Sequence, residues 1–89
     1  MNSYDMKATE AAISEFRKKR RSATPKSVAD FCEAVGFSID KDRGKGSHWL
    51  AVRPGTSPIT IPTGNKTLGL KTATGILRRL EEILEDDQR

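Results

Sequence analysis

The one histidine of this chain, His48, stands in the stretch Lys45-Gly46-Ser47-His48-Trp49. An imidazole with an ordinary pKa of about 6.5 both accepts and donates a proton near neutrality. A structural or solvated role is the commoner one for a lone histidine in a small domain, so its surroundings must decide. Those surroundings are cationic: Lys41, Arg43, Lys45, Arg53 and Lys66 all lie within twenty residues of it. Cations of this kind hold phosphates and stabilise charge that develops on a phosphorus centre. Gly46 lets backbone N–H groups approach closely. Ser47 is placed to orient the imidazole or bind a phosphate oxygen, or it simply begins a strand. Trp49 either stacks an unpaired base, a contact worth about 1–3 kcal/mol, or fills the core. Leu50 and Val52 at alternate positions read as the inward pair, which puts Trp49 on the outer face.

RNA supplies its own nucleophile, the 2′-OH. Cleavage then needs a base for that proton, cations around the phosphorane, and an acid for the departing 5′-oxygen. General acid–base catalysis contributes roughly 10²–10⁴-fold. With one imidazole, His48 serves as base and acid in turn, or a lysine or water supplies the second proton.

Composition narrows the classes. One cysteine and one histidine cannot assemble a structural zinc site, and no metal or other cofactor is expected. Cys32 lies among apolar residues at helical spacing and reads as a small buried hydrophobe. The net charge is +4; the first 71 residues carry +6 and the last 18 carry −2. That imbalance favours a polyanionic partner. The apolar runs fall short of the ~18 residues of a membrane span and the N-terminal residues lack a signal-peptide core, so a cytoplasmic protein with no membrane partner is expected. At 89 residues the expectation is one structural unit with a small core.

The elements that position His48 follow from periodicity. A helix is expected over 5–20, capped by Asp5, with Met6, Ala12, Ile13 and Phe16 on one face. It ends in Arg17-Lys18-Lys19-Arg20-Arg21, a run that suits the negative end of the helix dipole and equally a phosphate-contacting patch. After a short linker, Thr24 caps and Pro25 opens a second helix over 25–35, closed by Gly36. Alternation marks strands at 37–41, 47–53 and 58–62, with a hairpin loop at 42–46. A polar loop leads to a last helix over 72–85, whose stripe is Ala73, Ile76, Leu77, Leu80, Ile83 and Leu84. Acidic residues crowd its C-terminus, where the dipole disfavours them, so that end should fray or take a basic partner. The fold class is α+β: an extra N-terminal helix, then α-β-β-β-α with a three-stranded antiparallel sheet and helices on one face. Residues 1–24 form the extension and 25–89 the main domain.

From residue 25 to about 85 the chain resembles the HicA family of toxin–antitoxin mRNA interferases. Val28 to the Gly36-Phe37 pair is similar to its first helix. Gly46-Ser47-His48 is similar to its Gly-Ser-His signature, Ile59-Thr60-Ile61-Pro62 to its third strand, and Leu70 through Leu80 to its last helix. The resemblance implies a double-stranded-RNA-binding-like fold and metal-independent mRNA cleavage, with His48 as the catalytic group. It implies an RNA substrate and a HicB-like antitoxin that covers His48 and the basic hairpin. Residues 1–24 have no counterpart in the typical member; the extension reads as a dimerisation helix or an inhibitory segment whose deletion raises activity. A non-catalytic RNA-binding module of the same fold, and an interaction or DNA-binding protein, are the other classes open to these residues.

Overall fold

The computed structural model describes residues 6–42 and 46–88. Asp5, the expected cap of the first helix, lies outside them. Helix α1 (Met6–Lys18) stops short of the expected residue 20. The Lys19 amide donates to the Glu15 and Phe16 carbonyls at 3.1 and 3.0 Å, tightening the last turn. A single 3₁₀ turn (Arg20–Ser22) follows; it takes up the end of the basic run and the first residue of the linker expected at 22–24.

Helix α2 (Pro25–Ala34) starts as its sequence demands. The Thr24 hydroxyl accepts the Ser27 amide at 3.1 Å, and the Ser27 hydroxyl accepts the Thr24 amide at 2.9 Å. Such a capping box satisfies two otherwise orphaned donors. At the other end Gly36 adopts φ 92°, where a side chain would be strained. Its amide reaches the Glu33 carbonyl at 3.0 Å while the Phe37 amide reaches Cys32 at 3.1 Å, the paired bonds of a Schellman ending.

Strands β1 (Ser38–Asp40), β2 (His48–Val52) and β3 (Ile59–Pro62) form an antiparallel sheet in that order. The register pairs Ile39 with Ala51, Trp49 with Ile61 and Ala51 with Ile59. Residues opposite one another share a face. Ala51, Ile59 and Ile61 are buried, and Ile39 and Trp49 pack half-buried against the same cluster, so this is the helix-covered face. His48, Leu50 and Val52 share the other face with Ser38, Asp40, Thr60 and Pro62. The expectation for Trp49 is therefore reversed: it points toward the helices, and Leu50 and Val52 are the half-buried residues of the open face. Small Ala51 sits between the isoleucines of both neighbouring strands, where only its side of β2 can be packed by helices.

Helix α3 (Leu70–Asp87) extends past the expected span at both ends. All six residues of its stripe are buried. Its acidic end does not fray: the Asp87 carboxylate takes the Arg53 guanidinium at 2.6 Å, with the two side chains only 16% and 13% exposed. Helix α1 packs against α2 and α3 and joins the same core through Ile13 and Phe16. The Phe16 ring stacks on Phe31 with centroids 4.7 Å apart. The architecture is thus α+β, with three α-helices and one three-stranded antiparallel sheet among the described residues. None of those helices is long and apolar enough to cross a membrane.

Candidate functional site

His48 opens β2 and is exposed on the uncovered face of the sheet, opposite Pro62 of β3. Its placement follows from alternation: with Trp49 and Ala51 inward, His48 and Leu50 must point out. Just before it, Gly46 takes φ 66° in the turn, and Ser47 is exposed. The Ser47 carbonyl accepts the Thr63 amide at 2.6 Å. A Cβ on Gly64 would lie 3.3 Å from the Ser47 Cβ, so the loop after β3 closes directly on the residue beside His48. No hydrogen bond joins Ser47 to His48 among the described residues, and no described side chain holds the imidazole.

The cations divide. Arg43 and Lys45 lie outside the described residues. Lys66 is exposed in the loop after β3, at the His48 end of the sheet. Lys41 turns to the opposite side: its ammonium stands over the Trp49 ring, 4.7 Å from the centroid. That is a cation–π contact. Arg53 is turned toward α3. It sits at the far end of β2 and is paired in a nearly closed site with Asp87, because α3 ends there and its carboxylates need a counter-charge. Trp49 does not lie on the His48 face; one side of it borders a cavity of about 260 Å³ with Lys26, Asp30, Glu33 and Lys41.

Two further features escape the reading of the sequence. Asp40 pairs with Leu50 across β1 and β2, so it stands on the His48 face, diagonal to the imidazole. Diagonal neighbours are about 7–8 Å apart. Inward-pointing Ile39 is the signal that would have found it, since it forces Asp40 out. The second is the placement of the basic run, whose 3₁₀ turn abuts the start of α3: Arg20 donates to Thr74 Oγ1 at 3.3 Å. Cys32, in contrast, is buried as expected, and burial, with a smaller effect from Glu33, pushes its thiol up to about 12. It has no thiolate to offer. Among the described residues, no three His, Cys, Asp or Glu side chains gather as metal ligands.

The arrangement thus offers an accessible imidazole on an open sheet face, next to a glycine turn, with a carboxylate nearby and a lysine at the same end of the sheet. No protein-family model, no curated protein and no solved structure matches this chain.

Proposed function

We propose that this chain is a metal-independent endoribonuclease of the HicA type, the toxin of a toxin–antitoxin pair acting on mRNA in the cytoplasm, with His48 as its proton-transfer group. The observation that carries the reading is the exposure of the one imidazole on the sheet face that no helix covers. The resemblance of residues 25–85 to HicA supports it, as does the order α2-β1-β2-β3-α3, which fits a double-stranded-RNA-binding-like domain. In this scheme His48 takes the proton of a 2′-OH, whose oxygen attacks the adjacent phosphorus. The P–O5′ bond breaks and the 5′-oxygen takes a proton from the imidazolium or from water. The products are a 2′,3′-cyclic phosphate and a 5′-OH end. Lys66, with Arg43 and Lys45 of the hairpin, holds phosphates. A HicB-like antitoxin would cover His48 together with half-buried Leu50, Val52 and Pro62.

A second reading, a non-catalytic RNA-binding module, is favoured by one fact: nothing among the described residues orients the imidazole, whereas catalytic histidines are usually held by a partner. One experiment separates the two. A defined RNA is incubated in EDTA with wild type and with His48→Ala, both shown to be folded by circular dichroism. Cleavage by wild type alone, with cyclic phosphate ends, is the expected result. RNA binding without cleavage by either protein supports the module instead. Equal cleavage by both removes His48 from the chemistry.

A further inference from the structure

The fold splits the basic run into two kinds of cation. Arg17 pairs with Glu81 at 2.6 Å and Arg20 donates to Thr74 and to the Arg17 carbonyl, so both fasten the end of α1 to α3. Lys19 pairs with Glu15 at 3.0 Å; the hydrogen bond and charge of Lys19 hold that carboxyl below its usual range. Lys18 and Arg21 remain exposed and form no ion pair among the described residues. The helix dipole accounts for Lys18 in the last turn of α1, but its influence fades within a turn and does not explain Arg21 beyond the helix. Around these side chains is a concave pocket of about 150 Å³, closed on one side by Leu70, which is 37% exposed.

This pocket lies at the His48 end of the molecule. Asp87 at the end of α3 meets Arg53 at the far end of β2, and the start of α3 is joined by residues 63–69 to Pro62, the residue of β3 opposite His48. The 3₁₀ turn meets α3 near its start, through Arg20 and Thr74. A continuous connection joins the two places. Ser47 bonds Thr63, five residues later the Leu68 amide donates to the Ala23 carbonyl at 3.0 Å, and Ala23 follows the turn. Five residues span at most roughly 18 Å. Exposed Lys66 stands on this path, and exposed Lys71 lies three residues beyond its end, in the first turn of α3.

We propose that Lys18 and Arg21, continued by Lys71 and Lys66, form a phosphate-binding track that leads single-stranded RNA to or from His48. The N-terminal helix is then part of the RNA site, an inference that rests on the RNA-cleaving reading above. Leu70 supplies an apolar surface for a base or ribose beside the track.

The test measures binding of a 5′-labelled 20-nucleotide oligouridine by fluorescence anisotropy in EDTA between 50 and 200 mM KCl, with His48→Ala as the parent. Each phosphate neutralised on a single strand contributes about 0.7 to the slope of log K against log salt. Adding Lys18→Gln and Arg21→Gln should reduce that slope by about 1.4. The charge-matched control Lys7→Gln with Arg79→Gln, in the first turn of α1 and beside the turn between β2 and β3, should leave it unchanged. An unchanged slope in the first variant overturns the track, and wild-type cleavage in the parallel assay then leaves the ribonuclease reading standing. Equal losses in both variants reduce the effect to net charge and also overturn it. Failure of the parent to bind RNA at all removes both proposals together. Retained circular dichroism and thermal midpoint in each variant exclude unfolding as the cause.

Discussion

Substitution of Phe16 by alanine asks whether α1 is a layer of the domain or an appendage. Phe16 is fully buried, 0% exposed, and its ring lies 12° from parallel to that of Phe31. Transfer of such a side chain from water contributes about 1.5–3 kcal/mol, and the cavity left by its removal raises the loss to about 3–5 kcal/mol. A domain of 89 residues has a total stability of about 4–13 kcal/mol at the usual value per residue. Phe16→Ala should therefore remove from about a quarter to all of it, and lower the thermal midpoint by more than about 12 °C. Deleting residues 1–22 goes further. It also removes buried Ile13, the Thr9 hydroxyl bond to the Ala34 carbonyl at 2.7 Å, and the Arg17 and Arg20 fastenings to α3. The expected result is a fragment with no cooperative urea transition by circular dichroism or Trp49 fluorescence. An inhibitory segment would behave in the opposite way, with activity rising on deletion. If Phe16→Ala costs less than about 1 kcal/mol, or residues 23–89 unfold at the wild-type midpoint, the reasoning from burial fails and α1 is separable.

Two other perturbations test the physical account. The nearly closed Arg53–Asp87 pair ties the end of the sheet to the end of α3, and removing one member of such a pair costs about 3–5 kcal/mol when burial is complete; the residual exposure lowers the expectation to about 2 kcal/mol. A cycle of Arg53→Met, Asp87→Asn and the double variant should show a coupling energy above about 1 kcal/mol in urea denaturation, with RNA affinity unchanged by Arg53→Met. Additive losses, or weakened RNA binding at full stability, would restore Arg53 as a phosphate ligand. For Cys32, the folded pKa of about 12 lies above the value of 9.0 it starts from. The native state thus holds the proton longer; that stabilisation is complete below about pH 9 and is lost as pH rises toward 12, by about 1.4 kcal/mol per unit. Between pH 9 and 11 wild type should lose stability faster than Cys32→Ala, and parallel curves would contradict the burial of the thiol.

Much of this structure is legible from local chemistry. Thr24, Pro25 and Gly36 bound α2 because a capping oxygen, a fixed φ and a free positive φ are needed at those positions whatever the rest of the chain does. The stripe of α3 is equally clear, since six apolar residues at helical spacing leave one way to bury them. Its length is not, because what holds the last turn is Arg53, more than thirty residues away. The same long-range pairing turns Arg53 toward the end of α3. A cation near a histidine in sequence reads as a phosphate ligand until the fold shows which carboxylate it meets.

The sheet shows where alternation runs out. Residues 48–52 carry apolar side chains on both faces, so a period of two separates His48, Leu50 and Val52 from Trp49 and Ala51 without saying which set is covered. Aliphatic bulk argued for Leu50 and Val52. The decision is made by the neighbouring strands: Ile39, Ile59 and Ile61 can meet the helices only on the side shared with Trp49 and Ala51, and their partners on the other side are Ser38, Asp40 and Thr60. Counting the apolar residues of all three strands in register therefore fixes the face that the middle strand leaves open. The outcome carries the candidate site with it. Had Leu50 and Val52 been inward, His48 would have been covered by helices beside them. With Trp49 and Ala51 inward, the chain's one imidazole is left on the open face of the sheet, and Trp49 packs against the core on the other side.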